Sequence, residues 1–97
     1  MPRYAARIDD NQPEIVTALQ NAGASVQHLH AVGGGCPDIL IGWRGVNLLA
    51  EIKDGSKPPS ARKLTPSQKD WHDEWRGQKA IICSVDEALA LLDGVKT

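Results

Sequence analysis

This 97-residue chain contains no phenylalanine, and only one tyrosine and one methionine. Its core must therefore be built from Leu, Ile, Val and three Trp. No apolar run is long enough to span a bilayer. The start, Met1-Pro2-Arg3-Tyr4, lacks the apolar stretch of a secretory signal peptide. Both absences point to a cytoplasmic protein without a membrane partner. Cys36 and Cys83 form no Cys-x-x-Cys pair, which argues against a zinc ribbon and leaves reduced thiols as the expected state. Gly33-Gly34-Gly35 is followed by no Gly-Lys-Ser/Thr and does not fit GxGxxG, so it signals neither a P-loop nor a dinucleotide fingerprint.

What is present fits one modest globular domain. Apolar residues make up 41% of the chain, too many for a disordered one, and the length suits a single domain over residues 1–97. Net charge is only −1, which argues against unspecific coating of nucleic acid. The charge is unevenly placed. Residues 1–52 carry −2, residues 53–69 carry +4 and residues 70–97 carry −3. The basic stretch contains Lys53, Lys57, Arg62, Lys63 and Lys69. It can track phosphates, or it can be an ordinary solvated loop.

The punctuation predicts the order αβββαβα, an α/β chain with a four-stranded mixed sheet flanked by helices. Residues 1–10 read as a loose lead. Asn11 with Glu14 reads as a capping box, and Ile15, Val16 and Leu19 give helical spacing up to Gly23. Val26 to His30, Asp38 to Trp43, and Val46 to Lys53 read as three strands, the last two joined by a tight Arg44-Gly45 turn. A polar loop then leads to Thr65-Pro66-Ser67-Gln68, a second capping box, and a helix to about residue 75 or 76. Ala80 to Cys83 reads as the fourth strand. Ser84 with Glu87 opens a third helix, ended by Gly94.

The chemistry concentrates in Pro37-Asp38 and Glu51-Ile52-Lys53. A turn at Gly45 brings the start of the second strand opposite the end of the third, so Asp38 falls near Glu51. Glu51 and Lys53 are two apart and share a strand face. A divalent cation such as Mg²⁺ takes oxygen ligands, and Asp38, Glu51 and the backbone carbonyl of Ile52 supply three. Lys53 would orient a water or neutralise a phosphate, which completes the equipment for metal-assisted phosphodiester hydrolysis. The plainer alternative is a solvated ion-pair ladder above an apolar core of Ile39, Ile41, Ala50 and Ile52.

Other residues carry two readings each. Glu14 and Gln68 are capping-box partners that could also face the acid pair. His28 and His30 share a strand face near Cys36, which suits either a zinc-dependent hydrolase or ordinary histidines. His72 is expected at the surface. Trp71 and Trp75, four apart on a helix, suit core or dimer packing, or base stacking. The three glycines suit a bare connection or a turn that lets backbone approach DNA.

Three segments taken together resemble the virus-type replication-repair nuclease domain, VRR-NUC, of the PD-(D/E)XK nuclease superfamily. They are residues 35–42 (GCPDILIG), residues 49–55 (LAEIKDG), and residues 64–68 (LTPSQ) with Trp71 after them. The resemblance runs from Glu14 to the helix over residues 85–92. It implies a restriction-endonuclease-like fold and a Mg²⁺- or Mn²⁺-dependent DNA endonuclease. Asp38 and Glu51 would be metal ligands and Lys53 the catalytic lysine, with Gln68 beside it and Glu14 as a further candidate ligand. Lys57, Arg62, Lys63 and Lys69 would contact DNA. It further implies a homodimer selective for branched DNA, of Holliday-junction-resolvase type. The alternative is a module on the same fold that binds DNA or protein without cutting. The near-neutral charge departs from what strong unassisted DNA affinity would need.

Overall fold

The structure is a computed structural model and describes residues 9–95. The loose lead expected over residues 1–10 therefore lies, up to residue 8, outside the described residues. Helix α1 (Gln12–Asn21) is followed by β1 (Ser25–His28), β2 (Ile39–Trp43) and β3 (Val46–Ile52). A 3-10 turn over Pro59–Ala61 precedes α2 (Pro66–Glu74), β4 (Lys79–Ile82) and α3 (Val85–Gly94). The sheet order is β1-β2-β3-β4, antiparallel through β3, with β4 parallel to β3. The predicted mixed α/β architecture is the one observed.

Register is set by the β2–β3 turn. Arg44 and Gly45 both adopt left-handed φ values, 50° and 80°, the geometry of a two-residue type I′ hairpin. Trp43 then pairs with Val46 and Ile39 with Ala50. One further step places Asp38 across from Glu51. The pleat gathers Ile39, Ile41, Leu48, Ala50, Ile52 and Ile82 with Ile15 and Leu19 of α1 and Ala88 and Leu92 of α3 into one buried cluster. Each Leu or Ile side chain among them contributes roughly 1.5–3 kcal/mol by its removal from water. No tryptophan belongs to the buried core, contrary to expectation. Trp43 only packs against its margin.

Helix ends follow local chemistry, with corrections. Gly23, at φ 107°, closes α1, and its neighbour Ala24 donates back to the Leu19 carbonyl as in a Schellman motif. Asn11 makes no side-chain cap, so the Asn11–Glu14 box does not form. The backbone at Asn11 is already helical (φ −84°, ψ −4°), which turns its side chain away from the first amides. The Thr65–Gln68 box is complete. The Ser84 box is half made. Ser84 Oγ accepts from Glu87 N–H at 3.1 Å, but the Glu87 carboxylate accepts from Cys83 N–H instead. Strand β1 stops at His28 because the chain turns there, and α2 stops at Glu74 because Trp75 becomes extended (ψ 127°).

Candidate active site

Asp38, Glu51 and Lys53 are 9%, 2% and 9% exposed, so they do not form a solvated ladder. Burying three ionisable groups is costly unless each finds a partner. Asp38 Oδ2 accepts from Ile52 N–H at 2.7 Å, which fastens the acid across the open end of the hairpin. Lys53 Nζ donates to Gln68 Oε1 at 2.8 Å, and Gln68 Nε2 donates to Glu51 Oε2 at 3.2 Å. The same Gln68 Oε1 accepts from Thr65 N–H at 2.9 Å. One amide thus caps α2 and binds both the acid and the lysine. The two readings of Gln68 are both true.

Two backbone devices bring these groups together. Gly35 lies so close to α2 that an added Cβ would overlap the Ser67 carbonyl and stand 2.9 Å from Gln68 N, so only glycine lets the helix start this near Asp38. The Asn11 side chain, free of capping, donates from Nδ2 to the carbonyls of Lys53 (3.0 Å) and Cys83 (3.2 Å). It thereby bridges the ends of β3 and β4. Nothing in the sequence signals that bridge.

The electrostatics are those of two acids sharing one place. Burial, then the hydrogen-bonding and charge of Asp38, push the Glu51 pKa up to about 9 against the pull of Lys53. Among the described residues Glu51 Oε1 is buried without a protein partner. An all-oxygen acceptor set with one orphan oxygen and excess acid fits a hard divalent cation. Ile52, whose carbonyl is the third candidate ligand, sits between Glu51 and Lys53 with its N–H committed to Asp38. Burial and the two acids raise the Cys36 pKa and keep it a thiol.

These groups open onto a cleft of about 600 Å³. Asp38, Glu51, Lys53, Gln68, Lys57 and Lys63 line it together. His30 and Gly33–Gly35, each with a functional alternative in the sequence, also line it, as does Asp9, which nothing in the sequence singles out. Glu14 does not. It is exposed and lines a separate depression with Asp10, Asp54 and Ser84. Lys69 is also absent from the cleft and pairs with Asp73 one helical turn on, at 2.7 Å. Arg62 is half-buried and does not line the cleft, and among the described residues its Nε is unpartnered. The rings of His28 and His30 meet edge to face at 6.2 Å. Among the described residues no three His, Cys, Asp or Glu side chains gather around one point, so the zinc alternative on His28, His30 and Cys36 lacks its geometry. His72, expected at the surface, is buried, and its ring meets Trp71 edge to face. Trp71 stacks on Trp75 at 4.8 Å, and Trp75 remains 42% exposed.

No family model and no curated protein matches the chain. A solved structure described as a VRR_NUC domain matches it with a TM-score of 0.65 at 23% identity, covering 88% of this chain and 92% of that one. Among the described residues no helix is long and apolar enough to cross a membrane. The backbone of this chain has the fold of a VRR_NUC domain.

Proposed function

We propose that this chain is a metal-dependent nuclease that hydrolyses phosphodiester bonds in DNA. The carrying observation is the buried Asp38–Glu51 pair, with one orphan oxygen, beside a lysine that Gln68 aims. Asp38, Glu51 and the Ile52 carbonyl would hold Mg²⁺ or Mn²⁺. When bound, the cation supplies a water of lowered pKa and offsets charge on the phosphate. Asp38 is held in place by the Ile52 amide, so its carboxylate need not reorganise during the reaction. Lys53 spends one of its three ammonium hydrogens on Gln68. The other two remain for the attacking water and a phosphate oxygen. Lys57 and Lys63, on the rim, neutralise neighbouring phosphates.

The Lys53→Ala variant tests this reading. Metal-dependent cleavage should fall by roughly 10²–10⁴-fold, in the range of a lost proton-transfer or positioning group. DNA binding and the fold should largely hold. Retained cleavage sinks the assignment. A binding module without catalysis would show no Mn²⁺ site by calorimetry that Asp38→Ala removes. Selectivity for branched DNA and action as a homodimer rest on the sequence resemblance. They are tested by ranking a four-way junction, a flap, a nicked duplex and a linear duplex as substrates, and by sedimentation.

A further inference from the structure

We propose that the Gly33–Gly35 loop is a phosphate-binding wall of the cleft, contacting the nucleic-acid backbone through its main-chain amides. The inference rests on the nuclease reading and names a contact that reading leaves open. All three glycines have left-handed φ values, 77°, 66° and 82°. Gly35 is explained by its packing on α2, but Gly33 and Gly34 are not. An added Cβ at either meets no protein atom within 4 Å. Packing inside the protein therefore does not require bare backbone there. The loop's hydrogen bonds run from Val32 N–H to Leu29 and from Cys36 N–H to Gly33, and skip the amides between. Among the described residues the amides of Gly33, Gly34 and Gly35 reach no protein acceptor.

Three successive residues with unbonded amides thus line the same cleft as Glu51 and His30, whose Oε1 and Nδ1 are buried without a partner among the described residues. Main-chain N–H groups suit phosphate oxygens, and a wall without side chains lets the strand come close. Such contacts carry no base information, so the wall grips any sequence alike.

The test is amide NMR of the ¹⁵N-labelled wild-type chain, titrated in EDTA with a short single-stranded DNA. Saturable downfield shifts of the Gly33, Gly34 and Gly35 amide protons are expected. Unmoved glycine amides, with Lys57 and Lys63 resonances shifting, overturn the inference and leave the nuclease reading standing. DNA that shifts no resonance of the cleft overturns both. Gly34→Asn is the companion variant, because asparagine tolerates the left-handed region and fills the space in front of the amides. It should bind DNA about tenfold more weakly, by the same factor for unrelated sequences, in keeping with the loss of a charge-assisted hydrogen bond. Unchanged affinity in that variant overturns the proposal.

Discussion

At the scale of single residues, Gln68 concentrates the most consequence. Its amide serves Thr65, Lys53 and Glu51 at once. Gln68→Ala should therefore cost about 1–2 kcal/mol, from a lost cap and an unpaired buried lysine. That corresponds to a fall in thermal midpoint of roughly 4–8 °C per kcal/mol for a domain of this size. Gln68→Glu keeps the acceptor for Thr65 and Lys53 and should recover part of the loss; a variant as unstable as alanine would contradict the dual role. His72 gives a pH signature. Burial, then the charge of Lys79, hold its pKa below 6.5, with Asp73 opposing and Lys53 adding to the depression. The unfolded chain takes up a proton near pH 6.5 that the folded chain refuses, so stability is full above that pH and is lost as pH falls through it. Urea midpoints at pH 7.5 and pH 5.5 should diverge more for the wild type than for His72→Leu. Equal divergence would show that the ring is not the source.

At the scale of elements, the meeting of the glycine loop with α2 decides whether the site assembles. Gly35→Ala combines a left-handed residue with an overlap on the Ser67 carbonyl, so α2 must move and carry Gln68 with it. Gly33→Ala faces open space and incurs only the left-handed penalty of about 1–2 kcal/mol. Denaturant melts should rank Gly35→Ala clearly below Gly33→Ala, with cleavage lost in the former; the reverse order would sink this account. Much of this architecture was legible beforehand. The hairpin register followed from Arg44-Gly45, and the pairing of Asp38 with Glu51 followed from the register. The capping signature of Thr65–Gln68 marked the start of α2. What stayed illegible depends on contacts between distant segments. Asn11 reads as a cap locally, yet its side chain is claimed by carbonyls 42 and 72 residues away. Glu14, which suited a cap or a place facing the acid pair, lies on the exposed side of α1 and does not line the cleft. His72 sits on a polar stretch of helix, yet it is buried, with the Trp71 ring edge to face against it.

At the scale of the whole molecule, charge would set the strength of the proposed DNA contact. Net charge is −1, and Lys57 and Lys63 are the cleft's rim cations. Two neutralised phosphates give a slope of log affinity against log salt of about −1.8 per chain. Lys57→Ala with Lys63→Ala should flatten it, and an unchanged slope would place the electrostatic contact elsewhere. A slope about twice as steep in the wild type would indicate two chains on one DNA. The stacked pair Trp71–Trp75 adds something of another kind. Indoles 4.8 Å apart and inclined by only 16° couple their electronic transitions. Circular dichroism should then carry an exciton couplet that exists only while α2 is wound. Because that helix presents Gln68 to Lys53, the unlabelled protein would advertise optically whether the Lys53–Gln68–Glu51 cluster is assembled.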